Sequence, residues 1–337
     1  MAARLSFAEF DAKLKSGTLS PAEYRRCLEI DPTADVVRVR LRTGALRDAA
    51  PPRYDVDREV YLAERAQQER ETALAPVGLK RVVAEGDSWF NLPRIIRPQA
   101  IADRLKSNEL VAVKNIARWG HTLAQMLERK EYLEEIRRFN PDFFVFSGGG
   151  NDLQELLKCG GLLQSYVASR PIDQCLSAAG GELLQEIAEG YRTLLNQIAV
   201  NYPSLRSLCY AYDYPRPTYK NGKYIGQYFK KMGYPQSVWN AVAKVIIDSL
   251  SESVEPVVKA FPNSCFLDCR GTTASYPFFD DMHPDTEGFR VLARQFEQAL
   301  GVAMAPASEP GIKKRAARRV VRGTSTKRKQ RRVKRAR

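Results

Sequence analysis

The chain has 337 residues, of which 44% are hydrophobic, as in a globular protein with one large domain and an appendage or with two medium domains. No apolar run approaches the roughly 18 residues that a transmembrane helix needs. The N-terminus contains Glu9 and Asp11 and lacks the apolar segment of a signal peptide, so we expect a cytoplasmic location. The six cysteines include no Cys-x-x-Cys pair, which argues against a zinc site and a disulfide framework.

The net charge of +14 comes from the end of the chain. Residues 313–337 contain fourteen lysines and arginines and no acidic residue, whereas the preceding residues carry 39 basic and 39 acidic side chains. Such a charged segment with few large apolar side chains does not collapse, so we expect residues 305–337 to be a disordered polybasic tail. Its cations would bind nucleic acid or an anionic membrane surface, although the lack of aromatic residues argues against base stacking.

Residues 1–80 are expected to form a small α+β region of unknown role. The segment Ser20-Pro21-Ala22-Glu23 has the spacing of a capping box with proline at the first helical position, which predicts a helix over residues 21–29. Alternating valines and arginines then predict a half-buried strand, whose arginines either bind an anion or face solvent. This strand, a charged helix and a linker are expected at residues 37–42, 57–73 and 75–78, respectively.

From residue 81 to residue 304, short apolar runs alternate with helical patterns. The apolar runs predict five strands, at residues 81–85, 110–116, 143–147, 207–211 and 264–267. The helical patterns lie near residues 101–105, 122–139, 182–200 and 238–260. Short buried strands separated by helices indicate a parallel sheet that is covered on both faces. Ligands bind beyond the carboxyl ends of the strands in such sheets, so a site is expected in the loops that follow the strands.

Several of the expected loops at this edge carry polar or glycine-rich motifs. The first strand ends in Gly86-Asp87-Ser88, the loop after the second strand contains Gly120, and the third strand runs into a glycine-rich loop that ends in Asn151. Near the C-terminus, just ahead of the last helix, Asp280 lies three residues before His283. Because the strand ends meet at one edge of the sheet, we expect these residues to lie together.

These residue types suit acyl transfer, which needs a nucleophile, a base, an acid that orients the base, and donors for the developing oxyanion. Ser88, His283 and Asp280 supply the first three parts. The backbone N–H groups of Ser88 and Gly120 and the side-chain amide of Asn151 supply the donors. The Asp-x-x-His spacing lets the carboxylate hold one imidazole nitrogen while the other nitrogen faces the serine.

The same segments resemble the sequence blocks of the SGNH, or GDSL-type, hydrolases. Gly86-Asp87-Ser88 resembles the first block, Gly120 the second, Gly149-x-Asn151-Asp152 the third and Asp280-x-x-His283-Pro284 the fifth. The resemblance implies a flavodoxin-like, three-layer α/β/α fold with five parallel strands, and a serine esterase activity on a small-molecule, lipid or glycan ester without a metal or cofactor. One departure is Trp89, which follows the serine where leucine is frequent in the family.

The remaining polar candidates are given other roles. His121, the only histidine besides His283, has no acid at a helpful spacing and is interpreted as structural. Asp281 competes with Asp280 for the orienting role, but adjacent residues in an extended turn point in opposite directions, and we favour Asp280. The Gly-x-Ser-x-Gly elbow of the α/β-hydrolases is absent around Ser88.

Two acids and three aromatic residues near the expected site have alternative interpretations. Asp87 and Asp152 are predicted to cap the helices that follow them. Trp89, Tyr212 and Tyr214 are candidates for substrate contact, with anchoring of the first helix as the alternative for Trp89 and packing of a long loop as the alternative for the tyrosines. A different function is also compatible with the sequence, namely a non-catalytic, hydrolase-like scaffold that binds nucleic acid or membrane through its tail. The complete set of catalytic residue types favours the enzyme.

Overall fold

A computed structural model describes residues 4–73, 76, 78–96 and 98–303. The described residues begin with an N-terminal region of three helices and two short antiparallel strands. Its elements are α1 (Phe7–Ser16), α2 (Pro21–Cys27), β1 (Leu28–Ile30), β2 (Val39–Leu41) and α3 (Val56–Ala73).

Helix α2 starts where the capping box predicts. Ser20 Oγ accepts a hydrogen bond from the Glu23 N–H, and the Glu23 carboxylate accepts one from the Ser20 N–H. The helix ends at Cys27 rather than at residue 29, because Leu28 is extended and begins β1. This strand was not expected from the sequence.

The central sheet has five parallel strands, as predicted. They are β3 (Lys80–Glu85), β4 (Val111–Asn115), β5 (Phe143–Phe146), β6 (Arg206–Tyr210) and β7 (Ser264–Leu267). Their order in space is β4-β3-β5-β6-β7, which is the strand order of flavodoxin-like folds. The order places the carboxyl end of β3 between those of β4 and β5, at the topological switch point.

Helices cover both faces of the sheet and complete three layers. They are α4 (Ile101–Lys106), α5 (Leu123–Arg129), α6 (Glu131–Phe139), α7 (Gly150–Lys158), α8 (Ala178–Asn201), α9 (Gly226–Lys231), α10 (Trp239–Lys259) and α11 (Thr286–Leu300). Helix α4 packs against α11, and α8 packs against α10. Crossovers between parallel strands are right-handed as a rule, and with this strand order the rule assigns the two pairs to opposite faces.

The single helix that the sequence predicts over residues 122–139 is two helices in the structure. Lys130 has a φ of 52°, so the chain leaves the right-handed helical conformation between α5 and α6. Left-handed backbone at a non-glycine residue has no reliable sequence signal, which is why the break was not expected.

The N-terminal region packs against the sheet, and its described residues belong to the same compact unit as the sheet. The expected domain boundary at residue 80 stays a prediction. The Trp119 indole N–H donates to the Asp57 carboxylate at 2.9 Å, and the Tyr61 hydroxyl donates to the Ile116 carbonyl at 3.2 Å. Helix α3 packs along β4, the strand at one edge of the sheet. The covering of this edge strand joins the region to the core.

The predicted polybasic tail, residues 305–337, lies outside the described residues. Residues 75 and 77 of the predicted linker also lie outside them. Within the part of the chain that the structure describes, no helix has the length and apolar character required to cross a membrane.

Candidate active site

Ser88 lies in a tight turn directly after β3, at the carboxyl edge of the sheet. The Asp87 carboxylate accepts a hydrogen bond from the Trp89 N–H at 3.0 Å, which fixes this turn. A Cβ on Gly86 would lie 2.9 Å from the Phe90 ring and 3.0 Å from Ser147 Oγ, so only glycine fits before the turn. The serine is buried, with 3% of its surface exposed.

His283 joins Ser88 to Asp280. Its Nε2 lies 2.8 Å from Ser88 Oγ, and its Nδ1 lies 3.0 Å from both carboxylate oxygens of Asp280. Asp280 also accepts the backbone N–H groups of Met282 and His283, at 2.8 and 2.7 Å. The turn therefore fixes the carboxylate, and the carboxylate fixes the imidazole.

The electrostatic interaction between Asp280 and His283 suits a general base at position 283. Burial alone would lower the pKa of His283, but the Asp280 carboxylate outweighs burial and holds that pKa above its ordinary value of 6.5. Burial alone would raise the pKa of Asp280, but the charge and hydrogen bonds of His283 keep it below its ordinary value. Asp280 is therefore ionised at neutral pH, where it favours protonation of the imidazole.

Asp281 points away from the imidazole, as expected for the neighbour of Asp280. Its carboxylate accepts the backbone N–H groups of Tyr224 and Ile225, at 2.9 and 2.8 Å. Burial raises the pKa of Asp281 to about 6 despite these bonds. Asp281 anchors a loop beside the site rather than the histidine.

The three expected oxyanion donors are available in the described part of the molecule. The N–H groups of Ser88 and Gly120 donate to no protein acceptor there. Gly120 has a φ of +75°, a conformation that favours glycine. The side-chain amide of Asn151 donates one N–H to the His121 carbonyl at 2.8 Å, and this bond orients the amide. The second N–H of the same amide is the one that would donate to an oxyanion.

The loop that presents Asn151 also depends on glycine. Gly149 has a φ of +98°, and a Cβ at this position would lie 2.8 Å from the Ile187 side chain. Helix α7 begins at the next residue, so Asn151 lies in its first turn and is buried.

The imidazole of His121 is not placed for catalysis. Among the described residues its Nε2 has no hydrogen-bond partner, and its ring makes no hydrogen bond to Ser88. Burial, with smaller contributions from nearby arginines, lowers the pKa of His121 to about 3, so the ring is neutral. The backbone carbonyl of His121, which holds Asn151, is the part that faces the site.

The aromatic residues proposed for substrate contact differ in exposure, with Trp89 and Tyr212 buried and Tyr214 half-buried. Trp89 and Tyr212 are 4% and 3% exposed. The Tyr212 hydroxyl donates to Asp87 at 2.6 Å and accepts the Gly150 N–H at 3.1 Å, with the Tyr212 backbone at a φ of 60°. The Tyr214 hydroxyl donates to the Asp248 carboxylate.

Substrate contact by Trp89, Tyr212 and Tyr214 stays a prediction, because Ser88 and His283 are as deeply buried as Trp89 and Tyr212. Tyr212 also ties the turn of Ser88 to the loop of Asn151, a link that no local sequence pattern indicates. Asp87 was expected to cap a helix. Its carboxylate instead accepts the Trp89 N–H within its own turn and the hydroxyl of Tyr212 from another loop.

Asp152 caps a different helix from the one expected. Its carboxylate accepts the Leu123 N–H at 2.8 Å, at the start of α5, although Asp152 belongs to the first turn of α7. The bond holds the loop of Gly120 against the loop of Asn151. The sequence indicates a capping residue but not which helix it caps.

Two cavities of about 600 Å³ lie away from these residues. One is lined by Lys80, Asn140 and Arg206 among others, at the amino ends of the strands, and one is lined by Glu71 and Thr286 among others. Neither is the place where an acyl group would reach the serine. In the described part of the chain, no cluster of three or more His, Cys, Asp or Glu side chains could hold a metal.

Comparison with known proteins finds no matching family profile and no similar curated protein. The similar solved structures include a protein described as a GDSL-like lipase from Parabacteroides merdae, with 15% identity over 68% of this chain and 99% of that chain, and a TM-score of 0.43. A catalytic mutant of Axe2, an acetylxylan esterase from Geobacillus stearothermophilus, has 15% identity over 69% and 99% of the two chains, with a TM-score of 0.43.

A further similar structure is the lipase Lip_vut3 from a goat rumen metagenome. It has 17% identity over 66% of this chain and 98% of that chain, with a TM-score of 0.45. Structures described as GDSL-like or as esterases are thus among those similar to this chain.

Proposed function

We propose that the protein is an SGNH-type serine esterase that hydrolyses a carboxylic ester through an acyl-enzyme. The observation that carries this proposal is the pair of contacts at His283, 2.8 Å from its Nε2 to Ser88 Oγ and 3.0 Å from its Nδ1 to Asp280. This geometry is that of a nucleophile, its general base and the acid that orients the base.

In the acylation step, His283 Nε2 takes the proton of Ser88 Oγ as this oxygen bonds to the ester carbonyl carbon. The carbonyl oxygen becomes an oxyanion, which the N–H donors of Ser88, Gly120 and Asn151 stabilise. His283 then gives its proton to the leaving alkoxide oxygen while the bond from this oxygen to carbon breaks. The products of this step are the free alcohol and acyl-Ser88.

In the deacylation step, a water replaces the alcohol. His283 takes a proton from the water as the water oxygen bonds to the acyl carbon, and the same donors stabilise the second oxyanion. The bond to Ser88 Oγ breaks, and His283 returns its proton to this oxygen. Asp280 stays ionised in both steps and stabilises the imidazolium that forms each time.

Asp280→Asn should lower kcat by about 10⁴, because the amide favours the wrong imidazole tautomer and no longer stabilises the imidazolium. The acid limb of the pH profile should also move. Neutral His283 is the active form, so the kcat/KM of the wild type should rise with pH through a midpoint above 6.5, the ordinary pKa of histidine. Loss of the carboxylate removes the group that raises the pKa of His283, so the midpoint of the variant should lie at lower pH.

The measurement is kcat/KM for p-nitrophenyl acetate against pH, with thermal unfolding as a check on the fold. A variant with an unchanged rate and an unchanged acid limb would show that Asp280 does not act on the base.

Asn151→Ala should lower kcat by roughly 10² to 10³ with a smaller change in KM, because an oxyanion donor acts mainly in the transition state. Steady-state kinetics on the same ester separate the two parameters. Asn196→Ala, the same change at an exposed position of α8, should have the kinetics of the wild type. A change in KM alone for Asn151→Ala would make Asn151 a residue of substrate binding instead.

The function itself is tested by turnover of a panel of esters with the full-length protein: p-nitrophenyl esters of different chain length, acetylated polysaccharides and phospholipids. We expect hydrolysis of at least one class, with release of the free acid. A folded protein that hydrolyses none of them at a rate above that of Ser88→Ala would contradict the proposed function.

A further inference from the structure

A short segment of the N-terminal region lies against the oxyanion loop. A Cβ on Gly120 would lie 3.9 Å from Cγ2 of Val36 and 3.9 Å from the Val37 carbonyl oxygen. Val36 is partly exposed and Val37 is buried. The chain between β1 and β2 therefore covers one side of the residue whose N–H is free to bind an oxyanion.

Helix α7 holds this segment in place through Gln154, three residues after Asn151. The Gln154 side-chain amide donates to the Asp35 carbonyl at 2.8 Å and to the Tyr224 carbonyl at 3.0 Å. Lys158 on the same helix lies 3.3 Å from the Asp35 carboxylate. One helix thus positions both the oxyanion amide and the segment that contains Val36.

A second wall, the loop of Tyr224, is joined to the same segment. Lys223 Nζ donates to the Asp31 carbonyl at 3.3 Å, and the Tyr224 ring centroid lies 6.4 Å from that of His283. The Asp281 carboxylate fixes this loop through the Tyr224 N–H. Between these two walls Ser88 and His283 keep only 3% and 1% of their surface exposed.

From this enclosure we infer that residues 35–37 form a wall of the acyl site, and that Val36 restricts the enzyme to esters of short acyl groups such as acetyl. The inference rests on the proposed function and adds its substrate class. On this inference, a long acyl chain bonded to Ser88 would meet the Val36 segment and the Tyr224 loop, whose anchors at Gln154 and Lys223 oppose displacement. The N-terminal region thereby acquires a role in specificity.

The first test is the acyl-chain profile of the full-length wild type on p-nitrophenyl acetate, butyrate and octanoate. One methylene that a pocket does not accept changes kcat/KM by about tenfold or more, so octanoate should be hydrolysed at least about tenfold less efficiently than acetate. A wild type that prefers octanoate to acetate would overturn the inference while leaving the proposed esterase intact.

The second test changes the size of the wall in both directions. Val36→Ala should raise the octanoate-to-acetate ratio of kcat/KM about tenfold, and Val36→Ile, which adds a methylene, should lower the butyrate-to-acetate ratio. Val200→Ala is the matched control, because Val200 is 80% exposed and lies near the end of α8 that precedes β6, at the opposite edge of the sheet.

The control should have the ratios of the wild type. Folded Val36 variants whose ratios equal those of the control would overturn the assignment of Val36. A full-length protein that hydrolyses no ester and whose Ser88 does not react with a fluorophosphonate would instead overturn the proposed function, and the inference with it.

Discussion

Ser88→Ala is expected to lower kcat for ester hydrolysis by up to about 10⁶, because the serine, histidine and aspartate act as a unit. Removal of Oγ removes the atom that forms the acyl-enzyme, and the remaining oxyanion donors can only assist direct attack by water. The Ser88 hydroxyl has one hydrogen-bond partner among the described residues, His283, so the fold should persist.

The rate of p-nitrophenyl acetate hydrolysis, measured together with thermal unfolding, checks this result. Ser204→Ala is a suitable control, because Ser204 is exposed in the turn before β6, at the amino edge of the sheet. If Ser88→Ala turned the ester over as fast as this control, Ser88 would not be the nucleophile and the proposed enzyme activity would be contradicted.

His283→Ala should cause a loss of similar size, about 10⁶ in kcat, because without a base the serine keeps its proton and is a weak nucleophile. His121→Ala should leave kcat near that of the wild type. The ring of His121 is neutral and makes no hydrogen bond to Ser88, and the substitution retains the backbone carbonyl that orients Asn151. The two histidines therefore provide a comparison within one chain.

Both variants are to be assayed at several pH values, with thermal unfolding as the separate measure of fold. A buried ring is lost in each case, so a fall in thermal stability alone is expected of either variant and does not bear on catalysis. Loss of turnover in His121→Ala with retention in His283→Ala would reverse the assignment of the base.

The centre of the sheet was predictable because its central strands are largely buried on both faces. The runs at 81–85 and 143–147 have apolar, buried centres at residues 82–84 and 143–146, as central parallel strands do, and they lie within one residue of the bounds of β3 and β5. The starts and interruptions of the helices were less predictable. Helix α7 was not expected, because its first turn consists of the glycine-rich loop of Asn151, and the left-handed backbone at Lys130 has no sequence signal.

The proximity of Ser88 and His283, which are 195 residues apart, followed from topology rather than from local pattern. The parallel sheet places the residue after β3 at the carboxyl edge, and the segment before α11 returns to the same edge. The pairing of Asp280 with His283 followed from their spacing, since three residues of a tight turn bring the two side chains together.

Long-range packing accounts for what the sequence did not indicate. The bonds from Trp119 to Asp57 and from Gln154 to Asp35 join positions 62 and 119 residues apart, and none of these side chains belongs to a recognisable motif. The sequence therefore predicted secondary-structure elements of the N-terminal region but not the way in which this region packs on the sheet. In the same way, the hydroxyl of Tyr212 donates to the carboxylate of Asp87, 125 residues away, and no local sequence pattern indicates this contact.

The most direct test of the proposed mechanism is covalent labelling of the folded full-length protein with a fluorophosphonate, read by intact mass and peptide mapping. Activated serines react with this probe, so we expect one adduct, on Ser88, that is absent from Ser88→Ala and forms far more slowly in His283→Ala. A folded protein that takes up no label, or whose label maps to another residue, would contradict the account and favour a hydrolase-like scaffold without catalysis.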